Sequence, residues 1–234
     1  IVFTPCLTNK AIDQMFLGHV GVGLALKKAD PQLNVGWLVG ASLINDLALW
    51  ALAIVGAEHI TIPADFSQSH YLTFDFPYSH SLLATILRSV IIFALAFLLI
   101  AKNRRLLASL TLGAAVIIHW VCDWLEHLPD LPLAGPDSPK FGLGLWETMP
   151  VALGIEILLA ALGLWLYFKS TTDVSSRRKW LVLALTALIG GLTVYGGLFA
   201  PAPPSVMLLA VISLTTNILV IALYFWLDRP RTNR

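Results

Sequence analysis

The stretch Ser79-His80-Ser81-Leu82-Leu83-Ala84-Thr85-Ile86-Leu87-Arg88-Ser89-Val90-Ile91-Ile92-Phe93-Ala94-Leu95-Ala96-Phe97-Leu98-Leu99-Ile100-Ala101 decides the fold class. It is apolar almost throughout, and its one full charge is Arg88. At about 1.5 Å of rise per residue, a helix over 79–101 crosses the roughly 30 Å hydrocarbon core of a bilayer. Six further windows read the same way: 11–27, 35–57, 106–128, 144–168, 180–200 and 203–227. They predict an all-α fold, a polytopic transmembrane helical bundle of about seven spans in a single domain over 1–234. Helix-breaking residues separate the windows. Asp30-Pro31 follows the first, Pro77 precedes the third, and Pro201, Pro203 and Pro204 divide the last two.

Composition agrees. Hydrophobic residues make up 57% of the 234 positions and charged residues 12%, with mean hydropathy +0.78. A soluble domain carries about 25% charged residues, so this chain has too few to coat one. The net charge of +1 offers no attraction to a polyanion, so no nucleic-acid partner is expected. Cys6 and Cys122 lie far apart and match no paired-cysteine metal signature. The first window is short and polar at Lys10, Asp13 and Gln14, and no small-residue cleavage motif follows it. Residue 1 is isoleucine, so the chain is expected to lack its genuine start.

Charge placement orients the bundle. Lys27 and Lys28, then Lys102, Arg104 and Arg105, then Lys169, Arg177, Arg178 and Lys179, then Arg229, Arg231 and Arg234 fall on one side if all seven windows span. The opposite loops, 58–78 and 129–143, contain only Lys140. The positive-inside rule makes the basic side cytoplasmic, with the N-terminus out and the C-terminus in. The expected location is a bacterial inner membrane.

The last two windows hold no charge, while the first five do. Ionisable groups within a span are costly and mark either a site or an interior pair. His119 and Asp123 stand at i and i+4, on one helix face, where an imidazole and a carboxylate can hold a divalent metal such as zinc. A helix-end hydrogen bond is the simpler alternative. His80 and Arg88 also share a face. Arg88 suits a phosphate through its planar fork, or equally a pair with Asp46 or Glu156. His19 and Asp46 each stand alone on their windows. Counted by helical rise, His19, Asp46, His80, His119 and Asp123 all fall within about 17 Å of the outer surface. Scattered structural residues need not agree in depth, so one site opening outward is expected. Trp120 and Trp124 are candidates for an aromatic wall beside it.

The order Gly18-His19, Asn45-Asp46, Ser79-His80-Ser81 and His119-xxx-Asp123 resembles the LexA-binding, inner-membrane-associated metal-dependent hydrolase family. The resemblance covers about 18–168. It departs at Asn45, where a proline is common, and at Leu47-Ala48, where a second acid is absent. It implies a hydrolase with metal ligands His19, Asp46, His80, His119 and Asp123. The expected cofactor is a divalent ion, zinc first. Glu126 or Glu147 would act as general base, and Arg88 would offset charge on a phosphate or oxyanion. The expected substrate is an ester or phosphoester of a membrane lipid or a lipid-linked small molecule. A permease using the buried ionisable residues and a haem protein with axial histidines are the alternatives.

Overall fold

The computed structural model describes residues 16–100, 102–172 and 174–229. It is an all-α bundle with two small hairpins at one end. The helices are α1 (Phe16–Leu26), α2 (Val35–Ser42), α3 (Ile44–Ile54), the single turn α4 (Phe66–Ser69), α5 (Leu82–Leu99), α6 (Arg105–Glu126), α7 (Met149–Ser170), α8 (Ser176–Phe199) and α9 (Val206–Leu227). A 3₁₀ turn, Leu145–Thr148, leads into α7. Strands β1 (His59–Thr61) and β2 (Thr73–Asp75) pair antiparallel with His59 opposite Asp75. Strands β3 (Leu131–Pro132) and β4 (Lys140–Phe141) form the second hairpin.

Among the described residues, five helices are long and apolar enough to cross a membrane, namely α5, α6, the 145–170 unit, α8 and α9. Two of the seven expected spans come out differently. Window 35–57 is a broken pair, α2 and α3, bent by 52° at Leu43. Window 11–27 yields the short helix α1, and positions 11–15 lie outside the described residues. Window 79–101 starts its helix later than expected. Ser81 caps α5 by accepting from Ala84 N–H, which leaves His80 on the preceding loop.

The α1 helix forms the interior. Every residue from Phe16 to Leu24 is buried, the pattern of a helix surrounded on all sides. In a bilayer such packing depends on close van der Waals approach, which small residues permit. A Cβ placed on Gly163 of α7 would lie 2.2 Å from the carbonyl oxygen of Gly21, so the two backbones touch there. By contrast α5 packs mainly on α6, fully buries only Thr85 and Ala96, and leaves an apolar outer face exposed.

The end away from the hairpins is tied by buried charge. Lys27 Nζ lies 2.6 Å from Asp228 Oδ2, which also accepts from Val35 N–H at 2.7 Å. Tyr167 donates to Asp228 Oδ1 at 3.0 Å. One carboxylate thus joins α1, α2, α7 and the end of α9. Arg104 pairs with Asp30 at 2.6 Å. At the hairpin end, Trp50 packs with Ile60, Phe66, Leu72, Phe76 and Leu131 into an apolar roof. Lys140 reaches Asp75 at 3.6 Å and links the two hairpins.

Candidate metal centre

Beneath that roof, α1, α3, α6 and the loop before α5 bring five side chains together. They are His19, Asp46, His80, His119 and Asp123, all buried. These are the five that the sequence placed at a common depth. They form two overlapping triads, His19–His119–Asp123 and Asp46–His80–His119, each with its ligand atoms within 4.8 Å of one another.

The break between α2 and α3 builds part of the centre. In a straight helix the Ser42 carbonyl would accept from the amide four residues on. Here it accepts from His119 Nδ1 at 2.7 Å. A carbonyl can only accept, so His119 Nδ1 carries a proton and turns Nε2 toward the cluster. His80 is held similarly, with Nδ1 2.8 Å from Ser79 Oγ. Its carbonyl accepts from Trp120 Nε1 at 2.9 Å. Trp120, expected as an aromatic wall, therefore anchors a ligand backbone instead.

The inward-facing atoms are imidazole nitrogens and carboxylate oxygens. His80 Nε2 and His119 Nε2 lie 3.2 Å apart. Asp123 Oδ2 is 2.9 Å from His119 Nε2 and 3.5 Å from His80 Nε2. Asp46 Oδ1 is 3.5 Å from His80 Nε2 and 3.8 Å from His119 Nε2. At such distances the carboxylate charge is met either by protons on the imidazole Nε2 atoms or by a cation lying among them. Within each triad the separations are of the order of the roughly 3.4 Å between ligands of one ion with bonds of about 2.0–2.1 Å, while Asp46 and Asp123 belong to different triads. The buried His and Asp groups can therefore hold a metal ion. His19 completes the group, with Nε2 3.0 Å from Asp123 Oδ1 and its ring stacked on His119 at 3.7 Å.

The other expected site residues fall elsewhere. Glu126 is buried one turn beyond Asp123, and its Oε2 accepts from Trp146 Nε1 at 3.0 Å. Glu147 is exposed on the 3₁₀ turn and does not line the cleft. Arg88 faces neither a phosphate position nor Asp46 or Glu156. Its Nε donates to Asn45 Oδ1 at 2.8 Å, Nη1 to Tyr78 O at 2.9 Å, and Nη2 to Ser79 O. Glu156 accepts from Gly18 N–H at 3.1 Å.

A cleft runs from Asp46, His80 and Asp123 between Leu49, Trp50, Leu72, Phe74, His127 and Trp146. His127 was not among the expected site residues. Its Nδ1 lies 3.0 Å from Asp130 Oδ1, and its ring lies 4.0 Å from that of Trp146. Its spacing of four from Asp123 was the available signal. Glu58 was missed as well, and no local pattern marks it. Its Oε1 accepts from the Tyr78 and Ser79 amides at 2.8 and 2.7 Å. Burial pushes the Glu58 carboxyl above its ordinary range, against the opposing pull of those amides and Arg88. Comparison with protein-family models, characterised proteins and solved structures found no match to this chain.

Proposed function

We propose that this chain is an integral-membrane, metal-dependent hydrolase whose centre is formed by Asp46, His80, His119 and Asp123, with His19 beside them. The carrying observation is the set of N–O and N–N separations of 2.9 to 3.8 Å among buried, inward-facing ligand atoms. The nitrogen and oxygen donors suit Zn²⁺. The motif order that resembles the LexA-binding, inner-membrane-associated hydrolases supports the same reading. A divalent ion supplies Lewis acidity toward water and toward a carbonyl or phosphoryl oxygen.

The chain's own groups supply the rest. Asp130 accepts from His127 Nδ1 and so directs the Nε2 lone pair of a neutral ring to receive a proton in the cleft. This role suits His127 better than Glu147, which is exposed. Leu49, Trp50, Leu72, Phe74 and Trp146 line a narrow cleft of about 20 Å³, room for a water at the centre, so the hydrocarbon part of a lipid or lipid-linked ester would lie outside it. Arg88 is committed to Asn45, Tyr78 and Ser79, so a phosphoester would rely on the metal for charge compensation. The bundle sits in a bacterial inner membrane with the hairpin end outward and the basic loops cytoplasmic.

Two observations weigh against the alternatives. The His19 and His119 rings stack at 3.7 Å, which leaves no gap for a porphyrin between them. The buried charges at the opposite end, Lys27 and Asp228, are tied to one another and to backbone, unlike the relay groups of a carrier. The test is metal analysis of protein purified without chelator. At least one transition metal per chain is expected, and His119→Ala or Asp123→Ala should remove it. Stoichiometric metal persisting in both variants would refute the assignment. Hydrolysis assays on phospholipid and polyprenyl-phosphate panels then identify the substrate.

A further inference from the structure

The centre contains only one ligand that no helix holds. His80 lies on the loop between β2 and α5, whereas the other four belong to helices. A loop ligand needs an external means of fixing its position, because no intrahelical ladder sets its backbone. Two charged side chains of opposite sign meet that need. Both Arg88 and Glu58 lie outside the metal cluster, and both spend their polar atoms on the two residues preceding His80.

The contacts divide by polarity. Glu58 Oε1 accepts the amide hydrogens of Tyr78 at 2.8 Å and Ser79 at 2.7 Å. Arg88 donates Nη1 to the Tyr78 carbonyl at 2.9 Å and Nη2 to the Ser79 carbonyl. The donors of residues 78 and 79 thus meet a carboxyl oxygen, and their acceptors meet a cation. Hydrogen bonds from the guanidinium are roughly twice as strong as neutral ones. A third Arg88 donor, Nε, goes to Asn45 Oδ1 at 2.8 Å, and Asn45 also donates to Thr85 Oγ1 at 3.3 Å. Asn45 precedes Asp46. One guanidinium therefore bonds the residues adjacent to two different ligands, His80 and Asp46.

We propose that Glu58 and Arg88 form a two-sided clamp on the Tyr78–Ser79 backbone that sets His80 against Asp46 and thereby assembles that half of the metal centre. Both are positioning residues, since neither touches the cluster. The clamp rests on the metal assignment for its functional consequence, though not for its effect on the loop. Arginine is required because three donors in a fixed planar fork reach three acceptors, which a lysine ammonium on a flexible stem does not reproduce. At Glu58 only the acceptor is required, so glutamine suffices.

The experiment uses the full-length protein in detergent, stripped of metal and titrated with Zn²⁺ or Co²⁺ alone. Hydrogen exchange over 76–81 is measured in parallel as a metal-independent readout. Arg88→Ala, Arg88→Lys and Glu58→Ala should each weaken metal binding by about 10- to 100-fold, the usual effect of losing an outer partner of a ligand. They should also alter the Co²⁺ absorption bands and speed exchange at 76–81, with α6 still protected. Glu58→Gln should bind and exchange like the parent. If Arg88→Ala does not fold, the contrast between Arg88→Lys and Glu58→Gln carries the test. Parent-like affinity, bands and exchange in the Arg88→Lys and Glu58→Ala variants would overturn the clamp. A parent protein that takes up no metal, with variants that still free the loop amides, would sink the metal assignment and leave the clamp standing.

Discussion

Replacing Gly163 with alanine should force α7 away from α1 and disturb the centre from a distance. The new Cβ would lie 2.2 Å from Gly21 O, 2.9 Å from its carbonyl carbon and 3.0 Å from its Cα. All three are backbone atoms, so no side-chain rotation relieves the clash. Restoring ordinary contact requires the helices to part by about 1 Å in a close-packed interface, and overpacking of this kind costs about 1–3 kcal/mol. The gain in helix propensity from glycine to alanine offsets at most about 1 kcal/mol. A net loss of up to about 2 kcal/mol remains after a full offset, an up to roughly 30-fold shift toward the unfolded state, and the gap to a glycine-to-alanine change without the clash is about 1–3 kcal/mol. His19 lies two residues from Gly21, and its 3.0 Å contact with Asp123 would stretch to about 4 Å, beyond hydrogen-bond range. The assay is a denaturant titration in detergent, followed by tryptophan fluorescence, with metal content measured alongside. Gly154→Ala is the control, because it lies on the same helix with nothing within 4 Å of the added Cβ. It should leave stability unchanged or slightly improved. Equal stability of the two variants would refute the close-approach argument.

Asp228→Ala should cost about 3–5 kcal/mol in the same titration, because it leaves Lys27 buried without its counter-ion. Asp228→Asn, which keeps an acceptor for Val35 and Tyr167, should cost less. The raised Glu58 carboxyl makes the folded state hold its proton to higher pH than the unfolded chain does. Its contribution to stability is therefore complete below the ordinary value of 4.5 and lost as pH rises through the folded value. Glu58→Gln should flatten that loss, seen as thermal midpoints that match the parent near pH 4 and exceed it at about pH 8. For orientation, a cysteine at Asp137 should react with an impermeant maleimide in intact cells, whereas one at Arg177 should react only after permeabilisation. The reverse pattern would invert the proposed topology.

Much of the architecture follows from local pattern. Apolar runs of spanning length mark five membrane-length helices, because lipid forces each segment to satisfy its own backbone. The i, i+4 spacing of His119 and Asp123 places both on one face whatever surrounds them. The common depth of His19, Asp46, His80, His119 and Asp123 follows from helical rise and alternating span direction, and these are the residues that converge.

Partner choice is another matter. Arg88 has the same helical position whether it meets a phosphate, a carboxylate or a carbonyl. Only the path of the 76–81 loop delivers Tyr78 O and Ser79 O to its fork. The bend at Leu43 has no proline to announce it, yet it makes the Ser42 carbonyl available to His119. Glu58 is a lone acid in a loop until the chain folds back and presents two amides to it. The sequence by itself determined the long helices and which ligands share a helix face, because periodicity and rise act over a few residues. The tertiary structure decided which groups face the centre and which hold it in place. Those contacts join residues far apart in the chain, and their geometry depends on breaks and loops with no period to read.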